Sequence, residues 1–124
     1  VAKKVLIVDD SPTVRQQVRA ALTLAGFDVT EAVDGQEGVE RIKQVSDFAA
    51  VVCDVNMPRL NGLELVEKVG KDPTRAGLPI LMLTTEGQAA TVQRAKAAGA
   101  KGWMLKPFKA ELLVMTLKKL TEDR

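Results

Sequence analysis

Five polar side chains each close an apolar run: Asp9 and Asp10 follow residues 5–8, Asp54 follows 49–53, Thr84 follows 80–83 and Lys106 follows 102–105. An uninterrupted apolar run with turn chemistry after it reads as a strand buried on both faces of a parallel sheet. In open parallel sheets the ligand crevice lies beyond the carboxyl ends of the strands. The five groups are therefore expected on one edge, with Asp54 as the candidate reactive group. Three carboxylates within about 4 Å of one another would repel by about 4 kcal/mol per pair at an effective dielectric near 20. Summed over pairs, that approaches the roughly 5–15 kcal/mol net stability of a whole domain, so the cluster calls for a bound cation or proton uptake.

The chain has no histidine, and its one cysteine, Cys53, sits inside an apolar run as inert packing. The ligands are then all oxygen, which favours a hard cation, and Mg2+ suits a site that keeps several waters and a phosphate oxygen. Lys106 can pair with carboxylates at rest and bind a phosphoryl oxygen as a compact charge when one arrives. Thr84 adds a hydroxyl donor on the same side. Metal, ammonium and hydroxyl together would hold the equatorial oxygens of a transferring phosphoryl group while Asp54 attacks it, giving an aspartyl phosphate.

The elements that must position these groups follow from the remaining pattern. Ser11 and Pro12 start a helix with Val14, Val18, Ala21, Leu22 and Ala25 at helical spacing, and Gly26 stops it. Residues 27–33 alternate, as an edge strand does. A second helix starts near Asp34 and Gly35 and turns Val39 and Ile42 inward; Asn61 caps a third that buries Leu63, Val66 and Val69. Residues 89–98 offer only Val92 and alanines, so this fourth helix is predicted to be the least firmly docked. A fifth helix carries Leu112, Leu113, Leu117 and Leu120 inward. Five strand–helix units with right-handed crossovers predict an α/β fold: a doubly wound, five-stranded parallel sheet of order 2-1-3-4-5.

The 124 residues, 46% apolar and 27% charged, fit one domain over residues 1–124. A formal net charge of +2 argues against direct nucleic-acid binding by bulk charge. One cysteine allows no disulfide framework, and a reducing cytoplasm is the expected setting. No apolar stretch approaches the roughly 20 residues needed to span a bilayer, so membrane insertion is not expected. The apolar run behind Val1 is too short for a signal peptide, and the absence of a first methionine points to processing or trimming.

At this point the residues resemble a family: the receiver domain of two-component response regulators, in particular its stand-alone chemotaxis (CheY-like) members. The resemblance covers nearly the whole chain. It rests on Val8-Asp9-Asp10, on Asp54 followed by Met57-Pro58 and Gly62, on Leu83-Thr84, and on Lys106-Pro107-Phe108. It implies a phosphoacceptor signalling switch. Asp9, Asp10 and Asp54 would hold Mg2+ with the backbone carbonyl of Asn56, Asp54 would take the phosphoryl group from a histidine kinase, and Thr84 and Lys106 would bind the phosphate. The protein would be a regulator, not an enzyme, yet would catalyse its own phosphorylation and dephosphorylation. A cis peptide before Pro107 is also implied.

The family further implies that Thr84 swings toward the phosphate while the aromatic residue of the fifth strand turns inward. That motion would reshape the face made by the fourth helix, fifth strand and fifth helix for a protein target such as a flagellar motor switch protein. The aromatic position holds Trp103 where Tyr or Phe is usual, and Thr85 stands where Ala or Gly is usual. Asn56, Thr85 and Glu86 occupy positions that tune the lifetime of the phosphate and access for a phosphatase. Plain packing at Trp103, and a solvated face for Arg94, Lys96, Lys101, Lys109, Lys118 and Lys119, are the competing readings. Two alternatives stay open: a receiver from a longer regulator such as a transcription factor, and a non-phosphorylated interaction module of the same fold. An aspartate-nucleophile phosphatase is disfavoured because the chain lacks an Asp-x-Asp after the first strand and a cap insertion.

Overall fold

The structure is a computed structural model that describes residues 2–75 and 77–122. Strands and helices alternate: β1 (Lys4–Val8), α1 (Pro12–Leu24), β2 (Asp28–Ala32), α2 (Gly35–Gln44), β3 (Phe48–Cys53), α3 (Gly62–Gly70), β4 (Ile80–Thr84), α4 (Ala89–Ala98), β5 (Gly102–Leu105) and α5 (Ala110–Leu120). The sheet order is β2-β1-β3-β4-β5 and every neighbouring pair is parallel, as the sequence pattern predicts. Register pairs Val8 with Cys53, Cys53 with Met82 and Thr84 with Leu105. Those pairings bring the chain just beyond β1, β3 and β5, and the end of β4, to one edge.

The sheet separates two cores. On one face Leu6, Val8, Val51, Cys53 and Met82 pack with Ile42 of α2, Leu65 and Val66 of α3, and Ala95 of α4. On the other, Val5, Ile7, Val52, Leu81 and Leu83 pack with Val18 and Leu22 of α1 and Leu113 and Leu117 of α5. Alternate residues of each central strand serve opposite faces, which is why the strands are apolar throughout except for Lys4 at the start of β1 and Thr84 at the end of β4.

Side-chain caps fix three of the helices. The Ser11 hydroxyl accepts the Val14 amide proton, the Asp34 carboxylate accepts that of Glu37, and Asn61 forms a reciprocal capping box with Glu64. Two glycines allow backbone contacts that any Cβ would block. At Gly62 a Cβ would stand 2.0 Å from the Asp54 carbonyl oxygen, and at Gly35 it would stand 1.9 Å from that of Leu60.

The helical expectations need one correction. Leu112 is 48% exposed, because Leu113 and Leu117, four residues apart, set the buried stripe and turn their neighbour outward. In α4 the fully buried contact is Ala95, with Val92 only half-buried. This helix has no side-chain cap at its start and ends at left-handed Gly99. Its small, weakly capped contact surface predicts that α4 opens most readily. Amide exchange measured at neutral pH should give α4 protection factors at least about tenfold below those of α3. Equal protection in the two helices would refute that ranking.

Candidate functional site

The turn after β1 is shaped by the site itself. Asp9, 3% exposed, accepts the Ser11 amide proton on Oδ1 at 2.9 Å and the Lys106 ammonium on Oδ2 at 2.9 Å. Its carbonyl accepts Arg15 Nη1 at 2.8 Å, and the Arg15 Nε donates to Glu31 of β2 at 3.0 Å. Asp10, next in the chain, is exposed. Beyond β3, Asp54 is buried; its Oδ1 accepts the Val55 amide proton at 2.7 Å and its Oδ2 lies 3.4 Å from Lys106 Nζ. One oxygen from each of Asp9, Asp10 and Asp54 can be chosen so that all lie within 4.8 Å of one another. Lys106 arrives from β5 ahead of a cis peptide to Pro107 and bridges the two buried carboxylates.

Two strand ends thus supply three oxygen donors to one point, with a fixed ammonium beside them. That donor set fits a hard divalent cation. Asn56, itself exposed, follows on the β3–α3 loop, and among the described residues its carbonyl accepts no hydrogen bond.

Burial is the largest influence on Asp9 and raises its carboxyl above the ordinary range; the hydrogen bonds from Lys106 and the Ser11 amide offset only part of it. For Lys106, burial is again the largest single influence and works downward. The hydrogen bonds and charges of Asp9 and Asp54 together outweigh it and hold the ammonium above its usual value. The lysine therefore stays charged and partly neutralises a cluster whose repulsion the sequence alone leaves to a cation or proton. Burial drives the Cys53 thiol far up, which makes it inert as expected.

Thr84 is fully buried, and its hydroxyl oxygen accepts the Glu86 amide proton at 3.2 Å. From β5 the half-buried Trp103 donates its indole N–H to the Glu86 carbonyl at 2.8 Å. The main chain of Glu86 is therefore gripped on both sides, by the two residues expected to switch. Thr85 is exposed and lines, with Lys106, Pro107 and Phe108, the mouth of an apolar groove between α1 and α5 that includes Val14, Ala21 and Leu24. Arg94 is committed to an ion pair with Glu67 of α3 at 2.9 Å, so it is not a free member of the basic surface.

Two residues at this edge go beyond the sequence reading. Arg15 stands beside the Val14 and Val18 stripe of α1, a position where a charge needs a partner, and that was the available signal. Arg59 pairs with Asp34 at 2.7 Å, and nothing local in the sequence announces it.

The sign of the Asp9 effect can be tested. A carboxyl raised above its unfolded value costs stability at neutral pH, and the cost disappears as the pH falls through the raised value. With a chelator present, Asp9→Asn should raise the melting temperature at pH 7, while Lys106 keeps Asp54 as its partner. The gain over the parent should shrink on acidification toward 3.8, the ordinary Asp value. The Lys106 contribution lies elsewhere: present below 10.5, it is lost only at more alkaline pH. A thermal series in which Asp9→Asn destabilises at neutral pH would contradict this account.

Comparison with known proteins agrees with the geometry. Residues 5–118 match the response regulator receiver domain family. Chemotaxis protein CheY1 of Helicobacter pylori is 41% identical over 111 residues, covering 89% of this chain and 90% of that protein. The solved structure of Vibrio cholerae chemotaxis protein CheY4 superposes with a TM-score of 0.90 at 42% identity, over 97% of this chain and 99% of that one. The CheX–CheY–BeF3–Mg2+ complex from Borrelia burgdorferi gives a TM-score of 0.89 at 25% identity, over 95% and 88%. The chain belongs to the response regulator receiver domain family and is a phosphoacceptor regulator of the chemotaxis, CheY-like type.

Proposed function

We propose that Asp54 is the phosphoacceptor, that Asp9, Asp10, Asp54 and the Asn56 carbonyl form the Mg2+ site, and that Lys106 and Thr84 receive the phosphoryl oxygens. The observation that carries this reading is the Lys106 ammonium, 2.9 Å from Asp9 and 3.4 Å from Asp54. It already sits where a compact cation must be to meet an incoming anion on Asp54. In the transfer, an Asp54 carboxylate oxygen forms the new bond to phosphorus, the bond to the histidine nitrogen of the kinase breaks, and that nitrogen keeps the electron pair. When bound, Mg2+ neutralises charge on the phosphoryl oxygens. Lys106 shifts its hydrogen bonding from carboxylate to phosphoryl oxygen, and the Thr84 hydroxyl turns from the Glu86 amide to a second one. By the same residues the protein accelerates its own phosphorylation and dephosphorylation.

The switch then has a defined route. Release of the Glu86 amide by Thr84 loosens the β4–α4 loop whose carbonyl holds the Trp103 indole, and the weakly anchored α4 follows. The face of α4, β5 and α5 is the output surface, facing a protein target such as a flagellar motor switch protein. The Borrelia complex, which joins CheY with CheX, BeF3 and Mg2+, supports Mg2+ and a second chemotaxis protein as partners here. Asn56, Thr85 and Glu86 set the lifetime of the phosphate by controlling access of water and of a phosphatase. We place the protein in the cytoplasm with its kinase; none of its described helices is long and apolar enough to cross a membrane. A transcription-factor receiver and a non-phosphorylated interaction module are not favoured, since the curated relatives are chemotaxis regulators and the carboxylate–lysine constellation is intact.

Two measurements test these assignments. Intact mass after incubation with a small acyl-phosphate donor should rise by one phosphoryl group with Mg2+ and not with a chelator, and Asp54→Asn should stay unmodified. An adduct that persists in Asp54→Asn would move the acceptor elsewhere. Separately, the emission of Trp103, the single tryptophan, should shift on phosphorylation and not in Thr84→Ala. An emission spectrum indifferent to phosphorylation would make the indole a packing group.

A further inference from the structure

The β3–α3 loop between Asp54 and Asn61 carries Asn56, and its two ends are pinned to each other. Gly62 donates its amide proton to the Val55 carbonyl at 2.8 Å, and the Gly62 Cα lies too close to the Asp54 carbonyl to carry a Cβ. Those contacts close the loop without fixing the excursion between them. Met57 and Leu60 bury apolar surface against the core, but such contact has little direction. Leu60 donates its amide proton to the Pro58 carbonyl at 2.8 Å, a bond internal to the excursion, so the directional tie to the rest of the fold is made by Arg59. Its Nε donates to Asp34 Oδ2 at 2.7 Å and its Nη2 to Asp34 Oδ1 at 3.1 Å, a two-pronged grip on the carboxylate.

Three features make this more than an ordinary surface ion pair, which by itself fixes little. The Asp34 side chain is only 8% exposed and cannot swing, because Oδ1 also caps α2 by accepting the Glu37 amide proton at 2.9 Å. Next to it the Leu60 backbone lies directly on Gly35, the first residue of α2. Finally, Arg59 has φ 66°, the one positive φ outside glycine among the described residues. A residue with a Cβ occupies that region only where its surroundings hold it there. No step proposed above uses Arg59 or Asp34.

We propose that Arg59 and Asp34 form a positioning latch that holds the β3–α3 loop on the start of α2, keeping the Asn56 carbonyl in register with Asp54 and so setting the affinity for Mg2+. The inference rests on the Mg2+ site proposed above. Arg59 touches neither the metal nor the phosphoryl group; it acts through the loop. The latch also ties the first turn of α2 to the metal site, so that a partner drawing Arg59 away from Asp34 would weaken Mg2+ binding without touching a ligand.

The test uses Arg59→Gly, Arg59→Lys, Asp34→Asn and the Arg59→Gly/Asp34→Asn double variant. Glycine removes the grip yet suits the left-handed backbone, and asparagine keeps an oxygen for the α2 cap. Mg2+ is titrated twice, by its effect on melting temperature and by the rate of modification with a small acyl-phosphate donor. Arg59→Gly and Asp34→Asn should each raise the Mg2+ concentration for half-saturation about tenfold, the usual scale for residues that orient a ligand. The rate at saturating Mg2+ should stay within about twofold of the parent, a split that general destabilisation would not produce. The double variant should be no worse than either single one, and Arg59→Lys, which keeps the charge without the fork, should fall between. Unchanged half-saturation in Arg59→Gly, or a lower plateau rate at unchanged half-saturation, overturns the latch alone. A parent protein that neither gains stability from Mg2+ nor needs it for modification overturns the metal site and the latch together.

Discussion

Two carboxylates, Asp9 and Asp54, are buried side by side at the carboxyl edge of the sheet with one ammonium between them, and neither can move away. Register fixes them: Val8 pairs with Cys53, so the residues that follow must be neighbours. Backbone amides at Ser11 and Val55 then hold one oxygen of each, leaving the other for Lys106. The site is organised around an excess of negative charge that the protein itself only partly neutralises. A free carboxylate on a loop would relax into water. Here the sheet prevents that, and the stability of the parallel core is what sustains the imbalance.

That arrangement also explains the division between rigid and soft parts. The carboxylate side rests on β1 and β3, whose residues are almost all buried and whose flanking helices α1 and α3 are capped by side chains. The opposite side rests on the β4–α4 loop and on α4, held by a threonine hydroxyl, an indole N–H, one buried alanine and the exposed Arg94–Glu67 ion pair. In the switch proposed above, energy delivered at the rigid side finds its outlet in the part held by the least buried surface.

Much of this was legible in the sequence for a simple reason. Strands buried on both faces must be written as uninterrupted apolar runs, so β1, β3 and β4 and the polar residues closing them could be read directly, and the caps at Asp34 and Asn61 follow local rules. The adjacent leucines 112 and 113 could not be ranked, because which one faces inward depends on how α5 rolls against α1. The partners of Arg15 and Arg59 were hidden for another reason: Glu31 and Asp34 lie 16 and 25 residues away, and only the folded chain brings them together. The Trp103 partner is a main-chain carbonyl, which no residue type encodes.

The two cores have a consequence for how such a chain can change. Residues of α1 and α5 meet one face of the sheet, those of α2, α3 and α4 the other, and the strands between them present different side chains to each. Substitutions on opposite faces share few neighbours, so their effects on stability combine close to additively. One flank can be remodelled toward a new partner while the opposite flank keeps its own fit. The strand ends, common to both, are the part that cannot drift, and in this sense the fold is modular across its thickness.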